Sequence, residues 1–283
     1  MHNLKINLMM LATTILAGCA PNKTKQDKTL ASAQIKNVVS ANKTAAIVVK
    51  KDTLAFTYKY LRADEKNCPN KNDCSYVELS YPVFKSASRL NKTIAKSVLS
   101  FLNDENGSIR NVDKIFKGFS DDFFGDPDST DSQRMAASTL GLQIDTMVQD
   151  SSLAIIQLAD EMSGGAHPNE NVNYINWNTK ADLQIRLDDI LKSGYKTRLT
   201  EIAETIFRKD EHLGKSDALD GYFFKDGIFT LNDNFQITPS GLSYYYNNYE
   251  IKPYSEGPTV LLIPYTKIKS LLKPNTVLAQ YLK

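Results

Sequence analysis

The sequence contains few of the residues that most often carry metal-dependent or nucleophilic chemistry. It has three histidines, three cysteines and one tryptophan among 283 residues. The zinc-protease pattern H-E-x-x-H, the serine-hydrolase pattern G-x-S-x-G, the P-loop and the dinucleotide glycine pattern are all absent. A hydrolytic zinc ion normally takes three protein ligands, whereas only His167 and His212 lie beyond the N-terminal segment. We therefore expect no metal ion, no cofactor and no catalytic residue, and hence a protein that is not an enzyme.

The chain also lacks a strong excess of charge of either sign, with 34 basic and 32 acidic residues. This balance disfavours nucleic acid as a partner. Apolar residues make up 42% of the chain, which is enough for a sizeable core. Locally, however, residues 21–44 contain five lysines and one aspartate. Such a cationic, apolar-poor stretch is typical of a solvated tether, or of a segment that lies on anionic lipid headgroups.

The N-terminal apolar run, residues 8–16, is about half of the ~20 residues that a membrane-spanning helix needs. Lys5 precedes this run and small residues follow it, which together describe a secretory signal. The segment that comes next, residues 16–19 (L-A-G-C), resembles the lipobox of bacterial lipoproteins. That resemblance implies cleavage after Gly18 and attachment of acyl chains such as palmitate to Cys19. The alternative is an ordinary secreted protein in which Cys19 is incidental.

A lipid on Cys19 would hold the protein at a membrane with its bulk outside the cytoplasm. Two or more acyl chains give stable anchoring, so membrane lipid is the expected partner of Cys19. Ala20 is not an aspartate, which in a Gram-negative bacterium implies the outer membrane, facing the periplasm. The predicted organisation is a signal peptide at 1–18, a lipid anchor and flexible tether at 19–44, and two α+β subdomains at 45–135 and 136–283.

The other two cysteines, Cys68 and Cys74, enclose a turn-rich segment between two strand-like runs. An oxidising compartment favours a disulfide between them, across a hairpin loop. A loop this short would stabilise the fold by about 2–3 kcal/mol. Two free thiols, or half of a metal site, are the alternatives, but no histidine lies nearby.

Apolar residues recur with a period of two in some segments and with helical spacing in others. The period of two predicts strands within 44–62, 75–84, 140–145, 153–158, 172–177, 235–237, 242–246 and 260–263. Helical spacing predicts helices within 88–103, 109–124, 200–211 and 264–272. Strands and helices are mixed without a regular alternation. The sequence therefore predicts an α+β fold of largely antiparallel sheets packed with helices.

Three blocks in the second half of the chain carry a resemblance to a known family. They are residues 164–177, with G-G-A-H-P-N and Y-I-N-W, then 183–191, and then 235–265 with its run of tyrosines. In this order they resemble extracytoplasmic domains of unknown function. Such domains occur in the lysozyme-sensing anti-sigma factor of Gram-positive bacteria, ahead of some peptidoglycan deacetylases, and in lipoproteins. The resemblance covers roughly residues 140–273.

The resemblance implies a non-catalytic binding or sensing module, with lysozyme or peptidoglycan as candidate partners. Loops around a shared fold can carry different partners, so the family alone does not choose between them. Two further hypotheses are a cell-wall glycan-modifying enzyme that uses His167 with Glu161, and a structural lipoprotein that assembles with another envelope protein.

The candidate ligand-binding residues fall into two groups. His167 lies in a glycine-rich turn near Glu161 and Asn169. It has either a ligand-contacting role or the structural role of closing that turn through hydrogen bonds. Aromatic residues form the second group, because their rings stack on sugars or fill interfaces. Strand alternation puts Tyr245 on one face and its two neighbours on the other; the candidates chosen from this cluster are Tyr244, Tyr246 and Tyr249.

Overall fold

A computed structural model describes residues 53–66, 74–125, 137–164 and 167–282. The predicted signal peptide and tether, with Cys19, lie outside these residues. Residues Val49–Lys283 form one compact unit. Within the described ranges, no helix combines the length and the apolar character needed to cross a membrane.

The described part of the chain forms nine strands and five α-helices. The strands are β1 (Phe56–Asp64), β2 (Tyr76–Phe84), β3 (Thr139–Asp150), β4 (Leu153–Ser163), β5 (Asn169–Asn178), β6 (Leu183–Gln184), β7 (Phe235–Ile237), β8 (Gly241–Tyr246) and β9 (Thr259–Pro264). The helices are α1 (Ser88–Phe101), α2 (Val112–Phe124), α3 (Leu187–Ile190), α4 (Tyr195–Asp210) and α5 (Tyr265–Ile268).

Strands β1 to β6 form one sheet in chain order, and β7 to β9 form a second sheet. The pairing of β2 with β3 is parallel, and every other strand pair of these two sheets is antiparallel. The predicted α+β fold with largely antiparallel sheets is confirmed. The predicted boundary after residue 135 separates β2 from β3, which pair directly, so residues from both predicted subdomains contribute to the six-stranded sheet.

One core lies between the large sheet and the first two helices. Helix α1 buries Leu90, Ile94 and Val98, which recur every fourth residue along one face. They pack in the same cluster as Val77 and Leu79 of β2. The helix predicted within residues 88–103 is confirmed, because the residues that give it helical spacing are the ones that this core buries.

A second core lies around the small sheet and α4, and β4 contributes to both cores. Ala154 and Ile156 belong to the first core, whereas Leu153 and Ile155 belong to the second. Because successive side chains of a strand point to opposite faces, this part of the large sheet is covered on both sides. The small sheet thus lies on the same face of β4 as Leu153.

The predicted helix at 264–272 is shorter than expected. It is α-helical only over Tyr265–Ile268 and continues as a 3₁₀ segment to Leu271. Leu272 is extended and forms an isolated bridge with Leu191. This pairing with the segment after α3 ends the helix.

Cys74 is disulfide-bonded. The two other cysteines, Cys19 and Cys68, lie outside the described residues. The pairing of Cys68 with Cys74 therefore stays a prediction.

Candidate functional site

Three ring side chains meet at the protein surface, where the β4–β5 connection approaches the segment after β8. The rings of His167 and Tyr254 are stacked, with 3.6 Å between their centroids and 13° between their planes. The hydroxyl of Tyr249 lies 2.9 Å from Nε2 of His167. His167 and Tyr249 are exposed and Tyr254 is partly exposed. We call His167, Tyr249 and Tyr254 the aromatic surface.

His167 is positioned by the short connection between β4 and β5. Gly164 begins this connection with a φ of +117°, a conformation that side-chain-bearing residues rarely adopt. A Cβ at this position would also collide with Oγ of Ser138. The chain can therefore turn here only with glycine. His167 follows three residues later, and its Nδ1 lies 3.3 Å from the carbonyl oxygen of Pro168.

Tyr249 is positioned by a turn that is tied to β5. The backbone nitrogen of Asn247 donates to Oε2 of Glu250 at 2.8 Å, and Oδ1 of Asn247 accepts a hydrogen bond from the backbone nitrogen of Val172 at 2.6 Å. Within this turn Tyr249 has a φ of 64°, which costs a residue other than glycine roughly 1–2 kcal/mol. Strained residues of this kind are often found at functional sites, because the surrounding structure must hold them in place.

Two carboxylates lie side by side at the end of β4 and β5 that leads into this connection. Glu161 and Glu170 are cross-strand partners, so their side chains share one face of the sheet. Desolvation by neighbouring protein atoms raises the pKa of Glu170, and the negative charges of Glu161 and Asp160 raise that pKa further. Glu170 therefore holds its proton more readily than an isolated glutamate would.

Two of the aromatic candidates are core residues and offer no surface to a ligand. Tyr244 is 0% exposed and Tyr246 is 1% exposed, and both pack in the core around the small sheet. The hydroxyl of Tyr246 donates to the carbonyl oxygen of Thr230. Tyr245 is partly exposed, as alternation requires. The prediction that Tyr244 and Tyr246 bind a ligand is therefore wrong, because both side chains lie on the face of β8 that packs in the core.

Asn169 and His212, which were also singled out in the sequence, have surroundings that differ from each other. Asn169 begins β5, and its Oδ1 is shielded from solvent without a hydrogen-bond partner in the part of the chain that the structure describes. His212 follows the end of α4 with a φ of 59°. That conformation is the left-handed one common just after a helix, in line with a local structural role.

Sequence reasoning did not select Tyr254 as a candidate, although it belongs to the same tyrosine cluster. The sequence shows that Tyr254 follows Tyr249 closely, but its stacking partner, His167, lies 87 positions earlier in the chain. No local pattern connects two residues so far apart. The glycine-rich turn and the tyrosine run were the available signals, and the structure brings them together.

No group of three or more histidine, cysteine, aspartate or glutamate side chains suited to a metal ion occurs among residues 53–66, 74–125, 137–164 and 167–282. The contacts within the aromatic surface are ring stacking and a hydrogen bond. Such a surface can stack, pack and accept or donate hydrogen bonds.

Part of the chain matches a known family. Residues 188–266 match the model described as "Protein of unknown function (DUF3298)". A DUF3298 domain is therefore present, and its range includes Tyr249 and Tyr254 but not His167. The predicted resemblance to a family of unknown function is confirmed to this extent, while the links to the anti-sigma factor, to the deacetylases and to the lipobox stay predictions.

Two solved structures have a similar fold. A member of the DUF3298 family from Bacteroides fragilis is 19% identical with a TM-score of 0.63, and the match covers 82% of this chain and 99% of that one. A DUF3298 family protein from Pseudomonas aeruginosa is 19% identical with a TM-score of 0.61, covering 79% of this chain and 96% of that one. At such identity the likeness shows the fold alone. Among curated proteins, none matches this chain.

Proposed function

We propose that this chain, with its DUF3298 domain at residues 188–266, is a non-catalytic recognition module of the bacterial cell envelope. Lysozyme and peptidoglycan are its candidate partners. The observation that carries the proposal is the aromatic surface, in which the His167 ring stacks on Tyr254 and forms a hydrogen bond with the hydroxyl of Tyr249.

The arrangement of the three rings suits recognition. Tyrosine is enriched among the residues that dominate binding energy, because a ring offers apolar area together with a polar tip. The stack with Tyr254 and the contact with Tyr249 already restrict the His167 ring in the free protein. A partner therefore meets rings that are largely positioned before binding, which reduces the entropy lost on association.

The N-terminal pattern supports the proposed location. A lipid on Cys19, followed by the cationic stretch at 21–44, would leave the unit formed by Val49–Lys283 outside the cytoplasm. A disulfide-bonded Cys74 fits the oxidising conditions found there. Incorporation of labelled palmitate, and its loss in Cys19→Ser, tests this part of the proposal.

We expect Tyr254→Ala to weaken binding of the partner by about 30-fold or more, corresponding to the ~2 kcal/mol typical of a binding hot spot. The substitution removes the ring on which His167 stacks. The measurement is calorimetric titration of residues 20–283 with lysozyme and, separately, with purified peptidoglycan at physiological salt.

Tyr60→Ala is the matched control for the lysozyme titration, since it removes an exposed tyrosine ring from β1 instead. It should leave the lysozyme affinity unchanged. Binding that Tyr254→Ala does not weaken would place the partner elsewhere on the chain. The absence of heat with both partners would remove both from consideration and favour a structural lipoprotein whose protein partner is identified by crosslinking.

A second candidate function is modification of a cell-wall glycan, which the Glu161–Glu170 pair favours. A carboxyl with a raised pKa beside a second carboxyl is an arrangement that supports general acid and base chemistry. The test is release of new reducing ends or free amines from peptidoglycan. Turnover that is lost in Glu170→Gln and in His167→Ala, with unchanged thermal unfolding, would favour this function over recognition alone.

A further inference from the structure

A second surface lies on the large sheet, on the face of β1–β3 that is turned away from α1 and α2. Leu61 and Ala63 of β1 face the first core, whereas the alternate residues Tyr58 and Tyr60 are 48% and 56% exposed. The rings of Tyr58 and Tyr60 lie on one face of this edge strand, two residues and therefore about 7 Å apart. On β2, the partners of Tyr58, Tyr60 and Arg62 on this face are Pro82, Ser80 and Glu78.

The strand register aligns five side-chain positions across this face. Arg62 pairs with Glu78, Glu78 with Gly141, Gly141 with Glu161, and Glu161 with Glu170. Register partners lie on the same face of a sheet. A single row therefore runs from the edge strand β1 to β5, ending at the carboxylate pair beside the β4–β5 connection.

The middle of this face has little side-chain volume. Gly141 has no side chain, and the nearest neighbour of a Cβ added there would be Glu78, with Cγ at 3.5 Å. In the adjacent row, Gln143 of β3 pairs with Ser80 of β2 on one side and with Ala159 of β4 on the other. We call the face formed by these two rows the trough, because Gly141, Ser80 and Ala159 have smaller side chains than Glu78 and Gln143 beside them.

Two carboxylates at the trough are held in position by their neighbours. Asp145 accepts hydrogen bonds from the hydroxyl of Tyr58 at 3.0 Å and from Nε2 of Gln143 at 2.6 Å. Glu78 accepts from the hydroxyl of Tyr60 at 3.3 Å and from Nη1 of Arg62 at 3.0 Å. A carboxylate can accept about four hydrogen bonds. Each of the two carboxylates is therefore oriented and still able to accept hydrogen bonds from a ligand.

Two more rings stand beside the far end of the row. Tyr174 and Tyr245 contact each other edge to face, with ring centroids 6.1 Å apart. Glu170 lies close enough to raise the pKa of both hydroxyls, although desolvation contributes more. Rings therefore flank the carboxylates at both ends of the trough.

Charge restricts what this face can bind. Five carboxylates, those of Asp64, Glu78, Asp145, Glu161 and Glu170, share the face with the guanidinium of Arg62. An acidic ligand would meet net negative charge, whereas hydroxyl and amine groups would meet acceptors.

We propose that the trough, with Tyr58 and Tyr60 at its edge, binds an oligosaccharide that lacks acidic groups. Tyrosine rings pack on the apolar faces of sugars, and oriented carboxylates accept hydrogen bonds from their hydroxyl groups. The exposed part of this face, where Tyr58 and Tyr60 lie, suits an extended chain of sugar rings. This binding is separate from recognition by the aromatic surface.

The test is titration of the full chain with hexamers of N-acetylglucosamine, of glucosamine and of glucose, and with oligogalacturonate as the acidic counterpart. At least one of the three non-acidic oligosaccharides should bind, and oligogalacturonate should not. Tyr60→Ala should weaken the observed binding about 10-fold, the ~1–1.5 kcal/mol expected of one stacked ring. Gly141→Leu should abolish it by filling the trough.

Matched variants separate this inference from the proposed function. Tyr254→Ala should leave oligosaccharide binding unchanged, and Tyr60→Ala should leave lysozyme binding unchanged. Thermal unfolding checks that each variant is folded, and Tyr58→Ala replaces Gly141→Leu if the latter does not fold. The inference is overturned if none of the three non-acidic hexamers binds, if oligogalacturonate binds equally well, or if the trough variants retain full affinity.

Discussion

Gly241→Ala should destabilise the protein by about 3 kcal/mol or more, as expected for overpacking against a backbone that cannot move. Gly241 begins β8 and pairs with Pro264 of β9. A Cβ at this position would lie 2.8 Å from the carbonyl carbon of Ile263 and 2.9 Å from Cα of Pro264, and would collide with the Ile263 carbonyl oxygen. These atoms belong to a paired strand, so relief requires breaking the β8–β9 register.

Gly118→Ala is the matched control. Gly118 lies inside α2, and a Cβ there would have no neighbour within 4 Å. Alanine is favoured over glycine in a helix interior, so this variant should gain about 0.5–1 kcal/mol. Urea unfolding of both variants gives the two free energies of unfolding. Equal stability of Gly241→Ala and the unsubstituted protein would mean that β8 and β9 do not approach as described.

Asn176→Ala should cost about 4 kcal/mol, because it leaves a buried carbonyl and a buried N–H each without a partner, at about 1–3 kcal/mol per group. Asn176 is 2% exposed, in β5. Its Nδ2 donates to the carbonyl oxygen of Phe235, and its Oδ1 accepts from the backbone nitrogen of Ile237, both at 2.8 Å. One side chain thereby joins the large sheet to β7 of the small sheet.

The same substitution two residues later provides the comparison. Asn178 also accepts two backbone hydrogen bonds, from the nitrogens of Lys180 and Ala181, but in an exposed turn. Water can replace these bonds, so Asn178→Ala should cost about 1 kcal/mol. Urea unfolding should therefore rank Asn176→Ala well below Asn178→Ala in stability. Similar losses in the two variants would show that the Asn176 bonds do not connect the sheets.

Local patterns were sufficient to predict most of the elements. The β3–β4 hairpin was predicted from two apolar runs around a short polar turn, and these strands pair antiparallel around residues 151–152. Helix α1 was predicted from Leu90, Ile94 and Val98. In both cases the residues that define the pattern are also those that the core buries, so local and tertiary preferences agree.

Long-range pairing could not be predicted in the same way. The parallel β2–β3 pair joins residues about 63 positions apart, such as Val77 and Leu140, with two helices between them. Its two strands are covered by α1, which a strand pattern does not reveal. The alternation around Tyr245 showed that its neighbours share a face, but only the position of α4 decides that this face is the buried one.

Two residues of the aromatic surface could be predicted from the sequence, but the contact between them could not. His167 and Tyr249 were selected for their residue types, and both lie on it. Their contact depends on the Asn247 turn, which is tied to Val172 of β5. Such a contact follows from the packing of two sheets, whose geometry no single segment encodes.

Binding of a partner at the aromatic surface should be visible in the histidine signals of a proton NMR titration. Only His167 and His212 lie beyond the predicted signal peptide, so each imidazole resonance can be assigned with one His→Gln variant. Saturating lysozyme or peptidoglycan fragments should shift or broaden the His167 resonances, because its ring stacks on Tyr254, and should leave those of His212 in place. Saturable binding that leaves the His167 resonances unchanged would mean that the partner binds away from the aromatic surface.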